Sequence, residues 1–176
     1  MIINLWSKTL LTSYRYLNRI SDAIDKLIKT NALNCYDISG AMYSLNNTLD
    51  VSNRIIDLSE RKIKMINLKI LIEKTLLKLK KDDAIILIHR YIENLKFKDV
   101  ANVMKISMRT CFRKLDNAEA SFTNILNSQN WREEKLENYL KDEHWILSIY
   151  NEYKNNKRYE NMDFNFNIKT LVKLQV

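Results

Sequence analysis

A chain of 176 residues, 46% hydrophobic and 28% charged, is long enough for one or two small domains with a real core, and its balance predicts a folded soluble protein. It holds one glycine and no proline, so the tight turns of a sheet-rich fold lack their usual residues and long helices joined by polar loops are the default. The net charge of +8 permits contact with nucleic acid or an anionic surface, but lysine is spread through the whole chain and the total says little by itself. By position, residues up to Lys80 carry 13 basic and 7 acidic groups, residues 81–128 carry 8 and 6, and the remainder carry 8 of each. No run of about 18 apolar residues exists, so no membrane span and no membrane partner are expected. Two cysteines, Cys35 and Cys111, fit a reducing compartment rather than a disulfide framework. Lys8, Arg15 and Arg19 interrupt the first apolar pattern, so no secretory signal is read and a cytoplasmic location is expected.

Residues 3–29 form the first predicted helix, with Leu10, Tyr14, Leu17, Ile20, Ile24, Leu27 and Ile28 recurring mostly at three- and four-residue steps. Residues 31–49 are polar and contain Gly40; they read as a long connection with a short helical turn around Ala41–Leu45. Helix resumes at Asp50, a candidate cap, and runs to about Leu79 with a possible break near Ser59. Its second half has two apolar stripes, Met65, Leu68, Ile72, Leu76 and Leu79 on one side and Ile63, Ile66, Ile70 and Leu77 on another. A helix apolar on two sides is expected to be packed on two sides, so residues 63–79 are read as a central helix in a sandwich. Lys62, Lys69 and Lys80 run along one edge between the stripes and Lys64, Lys74 and Lys78 along the other; they are either solvated edges or phosphate contacts.

The next segment carries the functional reading. Asp82 or Asp83 is placed to cap a helix over residues 84–93 with Ala84, Leu87, Ile88 and Tyr91 on one face, and Asn94 to end it in the left-handed conformation. A short helix over about 97–104 turns Phe97, Val100, Ala101 and Met104 inward. Lys105 and Ile106 make the turn, and Ser107 is a good N-cap for a longer helix with Cys111, Leu115, Ala118, Phe122 and Ile125 on its apolar face. Met108, Arg109, Phe112 and Arg113 lie on the opposite face near its start, and no acidic residue occurs between Asp99 and Asp116. Short helix, tight turn and capped second helix with a basic outer face is the helix-turn-helix arrangement, in which the second helix enters the major groove. By helical phase Arg109 and Arg113 share the outward face, where an arginine fork matches guanine O6 and N7, while Lys105 and Lys114 flank it as phosphate contacts.

In these residues the chain resembles region four of bacterial sigma factors. The matching positions are Tyr91-Ile-Glu-Asn-Leu-Lys-Phe-Lys-Asp-Val-Ala, then Met104-Lys-Ile-Ser-Met-Arg-Thr, Leu115 and Ala118. They cover about a quarter of the chain. Three positions depart from the family pattern: Lys96 stands where a Ser or Thr cap is frequent, Lys105 where the turn often has glycine, and Phe112 where a polar or basic residue is common. Phe112 has two open readings, a thymine methyl contact or packing on a neighbouring helix. The resemblance implies an all-α helical bundle with a central helix-turn-helix, double-stranded DNA as partner, contact with RNA polymerase, and a DNA-binding set of Lys105, Ser107, Met108, Arg109, Thr110, Phe112, Arg113 and Lys114.

After the polar Asn127-Ser-Gln-Asn, two short helices are predicted near Glu133–Leu140 and Glu143–Tyr153, with Trp131, Leu136, Tyr139, Leu140, Trp145, Ile149 and Tyr150 packing back on the body. The last residues alternate Met162, Phe164, Phe166 and Ile168 with polar ones and read as an extended or flexible tail. The domain reading is therefore 1–80 helical, 81–128 helix-turn-helix, 129–156 packing helices and 157–176 tail. His89 and His144 are isolated, no metal-ligand spacing or phosphate-binding glycine loop exists, and Cys111 reads as a buried small residue, so neither enzyme nor cofactor is expected. Three functions follow from the sequence: a sequence-specific transcription regulator, a protein-interaction module built on the same motif, and a divergent stand-alone sigma factor. The third requires a promoter-melting module, and residues 1–80 show no basic-aromatic cluster of the kind that captures single strands.

Overall fold

A computed structural model describes residues 5–34 and 45–155, and every element among them is helical: α1 (Leu5–Asn34), α2 (Leu45–Leu77), α3 (Lys81–Leu87) continuing into a π-helical turn (Ile88–Ile92), α4 (Phe97–Val103), α5 (Met108–Ser128), α6 (Glu133–Leu140) and α7 (His144–Asn155). No helix among the described residues is long and apolar enough to cross a membrane. Of the turn expected around Ala41–Leu45 only Leu45 is described, as the first residue of α2, and the extended tail at 157–176 lies outside the described residues. The described chain divides into two compact units, residues 5–15 with 71–155 and residues 16–34 with 45–70.

The first unit is built around the start of α1. From Trp6 to Ser13 every residue is buried, including Ser7, Lys8, Thr9, Thr12 and Ser13. Burying a polar group costs free energy unless it is hydrogen-bonded, and these side chains have partners. Thr9 and Ser13 return their hydroxyls to the carbonyls of Leu5 and Thr9 at 2.9 and 2.7 Å. The Ser7 hydroxyl meets Thr123 and the Thr12 hydroxyl meets Tyr153, both at 2.7 Å. Lys8 Nζ lies 3.2 Å from Glu119 Oε2, and the Tyr91 hydroxyl donates to Glu119 Oε1. Burial pushes the Glu119 carboxyl up, opposed by the charge of Lys8 and by the hydrogen bonds from Tyr91 and Lys8. Around this polar column pack Trp6, Leu10, Leu11, Ile86, Leu87, Phe122, Leu126, Leu136, Leu140, Trp145, Ile146 and Ile149, with Trp6 stacked on Tyr150 at 4.5 Å. Glu143, itself buried, accepts the Trp145 indole N–H at 3.1 Å.

In the second unit, Tyr16, Leu17, Ile20 and Ile24 of α1 and Met65 and Leu68 of α2 are buried. Lys62 Nζ donates to both carboxylate oxygens of Asp25 at 2.6 and 2.8 Å, which makes this lysine an ion-pair partner within the fold rather than a solvated edge.

Five expectations are corrected. α2 begins at Leu45, so Asp50 lies inside it and caps nothing, and the helix passes Ser59 unbroken, with that hydroxyl bonded to the Ile55 carbonyl at 2.7 Å. The two-sided sandwich does not hold: Met65, Leu68, Ile72 and Leu76 are buried, whereas Ile63, Ile66, Ile70 and Leu77 are exposed. Among the described residues of the second unit, α2 has one helical neighbour, the later part of α1, and one neighbour covers one stripe. Asp82 and Asp83 lie in the first turn of α3 behind an extended Lys80 and make no side-chain cap; their charge instead favours the helix dipole. In α1 it is Tyr16 that is buried, while Tyr14 is half-buried and donates its hydroxyl to Glu73 at 2.7 Å. The helices past residue 95 fall within about two residues of the sequence reading, the usual uncertainty of helix ends.

Candidate nucleic-acid interface

The predicted site residues lie on the turn after α4 and the first two turns of α5. Upstream, the π-helical turn closes with the Glu93 N–H on the Ile88 carbonyl at 2.9 Å, and Asn94 follows at φ 58°, the left-handed stop read from the sequence. Arg90 fixes this corner twice: Nη1 donates to the Leu95 carbonyl at 2.9 Å, and the guanidinium lies 4.3 Å from the centre of the Phe97 ring. Val100 and Ala101 are buried, as expected of the inward face of α4, while Phe97 and Met104 are half-buried.

The turn itself needs a left-handed residue, and Lys105 supplies it at φ 54°. A side chain with a Cβ is strained there by about 1 kcal/mol. The geometry is held by the Lys105 N–H on the Asn102 carbonyl at 3.1 Å and the Ile106 N–H on the Ala101 carbonyl at 3.0 Å. Ser107 then caps α5 as its spacing predicted: its backbone is extended and its hydroxyl accepts from the Thr110 N–H at 3.2 Å. Such a cap contributes about 1 kcal/mol.

α5 packs on α3 and α4, and its Cys111, Leu115, Ala118, Phe122 and Leu126 are buried. The Cys111 thiol is buried, its pKa is pushed up chiefly by that burial, and it points at the Phe97 carbonyl, 4.0 Å away; a thiol kept protonated in this way is a packing group. The other face is open. Lys105, Ser107, Met108, Arg109, Phe112 and Arg113 are exposed, and Thr110 and Lys114 are half-buried. All eight predicted residues therefore belong to one turn and one helix start.

Two features were not read from the sequence. Lys114 Nζ lies 3.3 Å from Asp82 in the first turn of α3; a partner 32 positions away gives no local signal. An exposed pair of this kind is worth only about 0.2–1 kcal/mol and can be given up for a phosphate. The open question over Phe112 also gains a contact, since its ring lies 4.5 Å from that of Phe97. Arg90, Phe97 and Phe112 thus form a continuous stack from the π-helical turn to the outer face of α5. Among the described residues no group of three or more His, Cys, Asp or Glu is placed to hold a metal ion. Compared with known proteins, the chain matches no family model, no curated protein and no solved structure.

Proposed function

We propose that this protein is a sequence-specific double-stranded DNA-binding transcription regulator whose α4–turn–α5 segment acts as a helix-turn-helix of the sigma region-four type. The observation that carries this reading is the exposed, acid-free start of α5, where Arg109 and Arg113 stand outward beyond a Ser107-capped N-terminus. Three physical features support it. A helix N-terminus carries partial positive charge and attracts phosphate. Arginines one turn apart on the outer face reach base edges when that helix enters the major groove. The left-handed Lys105 shapes the turn between the two helices, and Arg90 holds the corner that leads into α4. In this reading Arg109 and Arg113 read bases, Lys105 and Lys114 hold phosphates, and the protein acts in the cytoplasm on a polymerase that already carries its own sigma factor.

The test is selection of bound sequences from a random duplex pool, followed by binding isotherms over a range of salt. Arg109→Ala is expected to cost about 1–3 kcal/mol on the selected site and to relax preference at one base pair. Lys105→Ala should weaken all duplexes alike and flatten the salt slope. Equal losses for Arg109→Ala on selected and random DNA would remove base reading.

A second reading has its own observation. Val103, Met108 and Phe112 are also exposed, an apolar complement suited to a protein partner. Binding to core polymerase that survives Arg109→Ala and Arg113→Ala but is lost in Met108→Ala with Phe112→Ala would favour it.

A further inference from the structure

α5 carries two phenylalanines with opposite surroundings. Phe122 is fully buried, whereas Phe112 exposes 37% of its surface on the outer face. A single exposed ring needs no explanation by itself, but the neighbours of Phe112 supply one. Its ring packs on Phe97 with centroids 4.5 Å apart, and Phe97 carries the Arg90 guanidinium 4.3 Å from its centre. Arg90 is in turn tied to the Leu95 carbonyl at 2.9 Å. Phe112 is therefore supported from the side of α4 and open on the outer side of α5. Met108, one turn earlier, is also exposed, and so are Lys105, Arg109 and Arg113. The first carboxylate on this helix, Asp116, comes one turn beyond Phe112.

We propose that Phe112 is a specificity residue that reads a thymine through its 5-methyl group in the major groove. This contact rests on the helix-turn-helix function of α4 and α5 proposed above. The charge around the ring selects the occupant. Lys105, Arg109 and Arg113 suit the phosphates and guanine edges of a duplex, whereas the centre of a protein-docking face is depleted of charge. Of the four bases only thymine presents a methyl group in the major groove, and an apolar side chain is the group that meets it. A ring already packed on one side gives up little further freedom on making that contact. Spacing places the thymine. Phe112 follows Arg109 by three residues, about 4.5 Å along a helix, against about 3.4 Å between base pairs. The thymine therefore lies within about two base pairs of the pair that Arg109 reads.

The experiment uses the full chain and the duplex selected from the random pool, with each thymine replaced in turn by deoxyuridine, which removes only the methyl group. For the wild type, one replacement within about two base pairs of the Arg109 position should weaken binding about fourfold, the worth of one buried methyl. Cytosine at that place should bind about fourfold less well than 5-methylcytosine. Phe112→Ala, with far-UV circular dichroism retained, should bind thymine and uracil alike there while keeping the salt slope and the preference at the Arg109 position. Phe112→Leu keeps an apolar group and should keep part of the ratio. A wild type that binds the selected duplex but is indifferent to uracil at every thymine overturns the methyl contact and leaves the helix-turn-helix reading standing. A wild type that selects no duplex removes both. A thymine-to-uracil ratio unchanged in Phe112→Ala and Phe112→Leu also overturns the proposal, and loss of polymerase binding in those variants would then assign the ring to a protein partner.

Discussion

The start of α1 and the middle of α2 have opposite relations to their sequence. Between Trp6 and Ser13 the chain reads Trp-Ser-Lys-Thr-Leu-Leu-Thr-Ser, five of its eight residues polar, and all of it is buried. Between Ile63 and Ile70 the chain is rich in isoleucine, and three of those isoleucines are exposed. Hydrophobicity alone ranks the two segments the wrong way round. What separates them is partners. Small hydroxyls on α1 satisfy themselves on the carbonyl four residues back or on a facing hydroxyl, so they enter a core at little cost. The isoleucines of α2 need an apolar neighbour, and the described helices of that unit supply one on the other side only.

The comparison can be broken most directly at Lys8. Its ammonium is buried beside Glu119, and Lys8→Ala leaves that carboxylate without its counter-charge. A loss of about 3–5 kcal/mol is expected in urea unfolding, with Lys8→Met and Glu119→Leu together recovering most of it. A loss below about 1 kcal/mol would mean that this column is not a closed core.

A smaller effect is expected at alkaline pH. Burial is the main cause that raises the Tyr153 hydroxyl from 10.0 to about 12, and it also raises Tyr91 well above the ordinary range. The folded state then keeps protons that the unfolded chain releases. The contribution is fully present below pH 10 and is lost as pH rises toward 12. The urea midpoint should therefore fall more steeply above pH 10 in the wild type than in Tyr91→Phe with Tyr153→Phe. Parallel curves would show that these hydroxyls ionise as readily in the folded chain.

The smallest effect belongs to α2. Ile70→Asp, which a sandwiched helix could not tolerate, is expected to change the intrinsic stability of the chain, measured in dilute solution, by no more than about 0.5 kcal/mol. Ile72→Asp, one face away and fully buried, should unfold it. If the two variants behave alike, the exposed stripe is covered after all.

The candidate interface was more legible than the core because its signals are local. Ser107 caps through a residue three positions on, Asn94 takes the left-handed conformation at the stop read for it, Lys105 lies in the turn read for it, and the buried set Cys111, Leu115, Ala118 and Phe122 follows from helical spacing. Its distant contacts were not legible: Asp82 reaches Lys114 across 32 positions, and Arg90, in a π-helical turn that α-helical periodicity does not anticipate, meets Phe97. The sequence by itself determined that the chain is helical, roughly where the helices after residue 95 begin and end, and which residues head α5, since propensity, capping and periodicity act over three or four residues. Only the tertiary structure decided which apolar stripe of α2 is covered and that a serine- and threonine-rich stretch of α1 is core, because burial depends on which neighbours arrive, and those lie up to 141 positions away, as between Thr12 and Tyr153.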